Sequence, residues 1–112
     1  MGANVVEALA DFKPYKVKMD HDLPEVMRHL DGLFQVSLAE GALSVKQKEL
    51  IVLGISVATH CEPCILVHLE KARAAGATPA EILEACGVAI AMGGGPAMAY
   101  VPLVLKCLEQ HG

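Results

Sequence analysis

Ser44-Val45-Lys46-Gln47-Lys48-Glu49-Leu50-Ile51-Val52-Leu53-Gly54-Ile55-Ser56-Val57-Ala58-Thr59-His60-Cys61-Glu62-Pro63-Cys64 is the stretch on which the fold turns. Its middle, Ile51 to Val57, is β-branched and apolar enough to form a strand. Its start is a capping box, in which the Ser44 hydroxyl and the Gln47 amide satisfy each other's unpaired backbone donors. From Lys46 to Ala58 the apolar positions Leu50, Leu53, Val57 and Ala58 recur at helical spacing, over a length that suits a helix better than a strand. The stretch is therefore expected to be helical.

Working outward, helix punctuation recurs. Thr59 and Glu62 make a second capping-box pattern, predicting a helix to Ala75 stopped by Gly76. Thr78-Pro79-Ala80-Glu81 is a third, with Pro at the first helical position, and its helix should run to Met92. Gly93-Gly94-Gly95 breaks it, lacking the lysine and hydroxyl of a phosphate loop. Pro96 is expected to open a last helix, kinked at Pro102 and ending near Gln110. Upstream, Asp22 is placed as the cap of a helix with Pro24 in its first turn. That helix carries Val26, Leu30, Leu33 and Phe34 on one face and extends to about Ala39, before Gly41. Residues 1–21, with Pro14 and mixed charges, are expected to be an irregular arm. The expectation is an all-α single domain over residues 1–112, with five to six helices and a core over 44–105.

Composition limits the function. The 112 residues are 54% hydrophobic but only 4% aromatic, with a net charge of −4. With a mean hydropathy of +0.43, the chain is too apolar for disorder. It offers no basic stripe and few aromatics for nucleic acid. So apolar a short chain has little interior to hide its surface, which leaves a membrane or self-association. Ala85 to Leu105 carries no charge and is long enough to span a bilayer, but the Gly run, Pro96 and Pro102 interrupt it. A homo-oligomer outside the membrane is the expectation. The N-terminus lacks a cationic region before an apolar stretch, and Val6 fails the myristoylation pattern. The chain is placed in the cytoplasm, where its four cysteines are thiol chemistry or packing rather than a disulfide framework.

The chemical signal is Cys61-x-x-Cys64-x-x-x-His68. At about 100° per residue these three lie within an arc of roughly 60° on one helix face. The first turn of a helix favours thiolates, because unpaired N–H groups and the helix dipole stabilise negative charge there. His68, one turn beyond Cys64, is placed to take its proton. Glu49 can orient His68 or accept that proton in turn, giving a thiol–imidazole–carboxylate relay. His60 is a candidate modulator of the adjoining thiol. Two alternatives use the same residues. Cys61, Cys64, His68 and either His60 or Glu49 form a zinc-type donor set, although no second Cys/His pair follows. Cys-Glu-Pro-Cys also places Pro before the second Cys, as thioredoxin does, but that fold needs strands. Cys86 and Cys107 stand alone on apolar faces and are expected to pack as small hydrophobes. His21, His29 and His111 are expected to be solvated.

Glu49, eleven residues, then Cys61-Glu62-Pro63-Cys64-Ile65-Leu66-Val67-His68 resembles the signature of the alkylhydroperoxidase D-like group of the carboxymuconolactone decarboxylase superfamily. Ala72 to Ile82 and Met92 to Ala97 resemble the stretches that follow it. The resemblance covers residues 44–105. It implies an all-α fold assembled as a trimer or hexamer, without a bound cofactor. It also implies peroxide reduction by Cys64, which becomes a sulfenic acid, and condensation with Cys61 to a disulfide. A Glu49–His68 proton relay would serve that chemistry, and an electron-donor protein or lipoyl-type dithiol would recharge it. Peroxidase members carry His immediately before the second Cys. Here that position is Pro63, and the extra histidine, His60, precedes the first Cys. Decarboxylase members lack the cysteine pair, which disfavours lactone decarboxylation.

Overall fold

A computed structural model describes residues 4–111, the side chain of His111 excepted. Met1 to Ala3, part of the N-terminus read for targeting signals, lie outside the described residues, as does the environment of the His111 ring. Six helices follow one another: α1 (Val5–Asp22), α2 (Pro24–Ser37), α3 (Val45–Ala58), α4 (Glu62–Ala74), α5 (Pro79–Met98) and α6 (Val101–His111). Among the described residues there is no strand. The thioredoxin-like alternative fails on that point, because its fold carries the cysteine pair beside a sheet.

The capping box expected at α3 forms in full. Gln47 N–H donates to Ser44 Oγ at 3.1 Å, and Ser44 N–H donates to Gln47 Oε1 at 2.8 Å. The third box forms as well, with Glu81 N–H donating to Thr78 Oγ1 and Thr78 N–H to Glu81 Oε1. α3 lies at the centre, packed against α5 and α4. Leu53 and Val57 are fully buried, and Glu49 and Ser56 are buried as well. The buried stripe is thus rotated from the one that hydrophobicity alone marks out. Leu50 and Ala58 are only partly buried, and Ile51 and Ile55 are exposed. Ile65, Leu69 and Ala72 of α4, Ile82, Cys86 and Ala89 of α5, and Leu103, Val104 and Cys107 of α6 complete the core.

Residues 5–22, expected as an irregular arm, form α1. Asn4 caps it by accepting from Glu7 N–H at 3.1 Å. Val5 and Leu9 enter the core, and Val5 N–H donates to Gln110 Oε1 of α6 at 2.8 Å. Pro14 sits inside the helix, removing one backbone donor without ending it. Asp22 is therefore the last residue of α1 rather than a cap of α2. Leu23 alone separates the two helices: its N–H donates to Met19 O, and its carbonyl accepts from Met27 N–H.

The C-terminal breaks also differ from expectation. Helix geometry runs on past Met92, and the interruption is at Gly94, whose φ of 67° and ψ of −151° lie in a region reserved for glycine. At Gly93 a Cβ would stand 2.8 Å from the Ala97 Cβ, so this corner requires both residues. Pro96 belongs to the end of α5. The final helix begins at Val101, with Pro102 in its first turn, where a missing donor costs nothing, rather than as a kink in mid-helix. No single helix among the described residues is long and apolar enough to cross a membrane, and α5 and α6 are bent by 101° at their junction.

Candidate active site

The α3–α4 corner builds the site. Thr59 does not cap α4. It closes α3, its hydroxyl and its N–H both donating to Ile55 O at 2.8 Å. His60 takes the left-handed conformation, with φ of 59°, and reverses the chain. Its ring stacks on Tyr100 with centroids 5.0 Å apart. His60 thus ties this corner to the α5–α6 junction. Tyr100 carried no motif in the sequence that would have marked it. Cys61 N–H donates to Ser56 O at 2.9 Å, and the Cys61 sulfur then takes the capping place, accepting from Cys64 N–H at 3.3 Å. A cysteine caps the helix because the competing hydroxyl has been turned back into α3.

Cys61 and Cys64 are joined by a disulfide with Cα atoms 5.3 Å apart. Both are partly buried, and Pro63 in the first turn of α4 is exposed. The pair therefore occupies the first turn of a helix, where the free N–H groups favour a thiolate once the bond is reduced. One turn on, His68 Nδ1 lies 2.7 Å from Glu49 Oε1. The two side chains are only 13% and 4% exposed, so water competes little for this hydrogen bond. With Glu49 as a carboxylate, Nδ1–H is the donor and Nε2 is left as the basic nitrogen. No buried side-chain nitrogen or oxygen among the described residues lacks a partner.

The structure pairs Glu49 of α3 with His68 of α4, and Cys61 with Cys64 at the start of α4. It sets His60 against Tyr100. Among the described residues no three His, Cys, Asp or Glu side chains are grouped to hold a metal. Cys86 and Cys107 are buried and unbonded. His21 and His29 are exposed, His21 beside Asp22 and His29 Nδ1 against Glu25 O. Burial, with the Glu62 charge added, pushes the Cys107 thiol up to about 11. Because the folded state holds the neutral thiol, this contribution to stability is complete below the free-thiol value of 9.0. It is lost as the pH rises through about 11. The urea midpoint is accordingly expected to fall between pH 8.5 and 10.5, and to fall less in Cys107→Ala.

The sequence profile described as the carboxymuconolactone decarboxylase family matches residues 24–106, from the start of α2 into α6. The chain belongs to that family. Its relatives include an uncharacterized protein of Cupriavidus necator, 32% identical over 86 residues, which are 77% of this chain and 76% of the relative. Another is an uncharacterized protein of the cox locus of Paracoccus denitrificans, 38% identical over 79 residues, 70% of this chain and 71% of the relative. The fold is that of a carboxymuconolactone decarboxylase family protein from Legionella pneumophila solved in its apo form. The two share 34% identity and a TM-score of 0.90, over 95% of each chain. That extent takes in α1 as well, which lies before the segment matched by the family profile.

Proposed function

We propose that this family member is a thiol-dependent peroxidase and disulfide oxidoreductase that reduces hydroperoxides through Cys61 and Cys64. The observation that carries the reading is the buried 2.7 Å contact between His68 and Glu49, one turn behind a cysteine pair at a helix start. A pair serving only as a staple has no use for a desolvated histidine–carboxylate dyad beside it.

In the reduced protein His68 Nε2 takes the Cys64 proton, and Glu49 stabilises the imidazolium through Nδ1–H. The Cys64 thiolate attacks the terminal oxygen of the hydroperoxide. The O–O bond breaks, Cys64 becomes a sulfenic acid, and the leaving alkoxide takes the proton from His68. Cys61 then attacks the sulfenic sulfur, forming the disulfide and releasing water. An external dithiol returns two electrons and two protons. No resident cofactor enters the cycle, and re-reduction by a dithiol suits a reducing compartment such as the cytoplasm.

The test is a peroxide-consumption assay over several dithiol donors, on the wild type, Cys61→Ser and Cys64→Ser. Consumption that needs a donor and both cysteines supports the reading. One zinc per chain in protein purified without added metal, with no peroxide turnover, replaces it by the metal-binding alternative.

The resemblance to trimeric and hexameric proteins extends the proposal to assembly. Val26, Leu33 and Val36 on α2, and Ile55, Val88 and Met92 beside the α3–α5 groove, are all exposed. A groove of about 350 Å³ between α3 and α5 is lined almost wholly by apolar atoms. We propose that copies of the chain cover these faces. Sedimentation equilibrium is expected to give a trimer or hexamer of the 11.8 kDa chain without detergent, and a stable monomer would reject it.

A further inference from the structure

Among the described residues His60 is the only one other than glycine with a positive φ, 59°, a conformation that costs free energy for any residue with a Cβ. The N–H groups of the turn run back into α3. His60 N–H donates to Val57 O at 3.3 Å, and Cys61 N–H donates to Ser56 O at 2.9 Å. The turn delivers Cys61 to the cap of α4, where its sulfur accepts from Cys64 N–H. In the oxidised protein the disulfide holds that geometry. Tyr100 is a second hold, from the far end of α5. Gly93 lies against Ala58, the last residue of α3, where a Cβ would stand 3.7 Å from the Ala58 Cα. The corner at Gly94 then carries the chain on to Tyr100, which packs against the core. Its ring meets the His60 ring nearly parallel, at 19° and 5.0 Å between centroids.

We propose that Tyr100 is a positioning residue for the cysteine pair. Its stack on His60 keeps the left-handed turn, and with it Cys61 beside Cys64, after the disulfide is reduced. The inference rests on the redox reading above. Once the bond is broken, the stack and the two backbone hydrogen bonds oppose the return of His60 to negative φ. The disulfide closes only from chains in the turn, so its formation constant scales with the fraction of reduced protein that keeps the turn. An aromatic stack raises that fraction by about two- to tenfold. The same fraction governs the peroxide cycle. The Cys61 thiol attacks the sulfur of the Cys64 sulfenic acid; the S–S bond forms, the S–O bond breaks, and the oxygen leaves as water with the Cys61 proton. A second hydroperoxide competes for the sulfenic acid, transferring one oxygen to give the sulfinic acid and leaving as the alcohol. Loss of the stack slows the first reaction and not the second.

The probe is the glutathione couple. Two glutathione thiols reduce the bond, passing two electrons and two protons to the cysteines and leaving as glutathione disulfide. The reduced fraction of Cys61 and Cys64, alkylated after an acid quench, is read over a series of glutathione ratios. Tyr100→Leu keeps apolar bulk against the core and removes the ring. It is expected to move the equilibrium about two- to tenfold toward the dithiol, or about 10–30 mV for a two-electron couple. Under excess peroxide it is expected to raise sulfinic acid at Cys64 by about the same factor. Tyr100→Phe keeps the ring and the wild-type equilibrium. His60→Gln, at an exposed position, moves the equilibrium as Tyr100→Leu does, and the two together move it no further, because one stack is lost only once. A wild-type value in Tyr100→Leu, an equal shift in Tyr100→Phe, or shifts that add in the double variant overturn the proposal. Should Tyr100→Leu lose its helical spectrum, His60→Gln carries the test alone, and a wild-type value there overturns it. A wild-type pair that glutathione disulfide cannot re-form overturns the redox reading itself.

Discussion

Cys64→Ser is expected to lower dithiol-dependent peroxide consumption by at least about a thousandfold, because a serine hydroxyl is not ionised near neutral pH and cannot replace the thiolate. The fold should tolerate the change. Cys64 is only partly buried, and the backbone N–H that the Cys61 sulfur accepts from is unaltered. Cys61→Ser separates the two roles. With Cys64 as the attacking thiol, Cys61→Ser consumes about one equivalent of peroxide per chain and stops as a sulfenic acid, which a dimedone-type trap labels at Cys64. The helix start favours a thiolate at either position, so this experiment has a definite reverse result. Label on Cys61 in Cys64→Ser, with no label on Cys64 in Cys61→Ser, would exchange the two assignments and leave the rest of the cycle standing.

Glu49→Gln is expected to cost about 10²- to 10⁴-fold in the peroxide step, with little change in reduction by dithiothreitol. Glutamine keeps the size of the side chain and an oxygen able to accept the His68 Nδ1–H. What it removes is the negative charge that stabilises the imidazolium. A role confined to packing predicts a normal rate in Glu49→Gln; the relay predicts a lower rate, because the charge that stabilises the imidazolium is gone. Glu49→Ala goes further, leaving Nδ1–H unpaired in a buried place, a loss of about 1–3 kcal/mol of stability on top of the catalytic one. Comparing the two variants by urea unfolding and by peroxide rate divides the structural part of Glu49 from the chemical part.

Glu49 also marks where sequence reading succeeds and where it stops. Its separation from Cys61 and His68 pointed to the relay, and the structure places it 2.7 Å from His68. Hydropathy, however, gives no reason to bury a carboxylate between Lys48 and Leu50. The helical stripe read from Leu50, Leu53, Val57 and Ala58 leaves Glu49 outside. In the folded chain α4 and α5 take up the face that carries Leu53 and Val57, and Glu49 turns inward with them because His68 supplies its partner. Thr59 illustrates the opposite case. Thr59 and Glu62 have the spacing of a capping box, yet the left-handed turn at His60 directs the threonine back to Ile55 and passes the cap to Cys61.

The N-terminal segment was the least legible. Pro14 and dispersed charge read as an arm, but Asn4 caps a helix there, and Val5 and Leu9 anchor it in the core with the Gln110 hydrogen bond. Gln110 lies near the other end of the chain, and no local pattern announces it.

By itself, the sequence determined that the chain is helical, where α3 and α5 begin, and that two cysteines and a histidine share one face at a helix start. Each of these is set by residues within a turn or two of one another, through capping hydrogen bonds and the 3.6-residue period. The tertiary structure decided that Glu49 is buried against His68, that α1 packs on α4 and α6, and that Gly94 rather than Pro102 makes the C-terminal corner. These depend on which faces meet across the core. That is decided by packing and by the need to satisfy buried polar groups, between residues far apart along the chain.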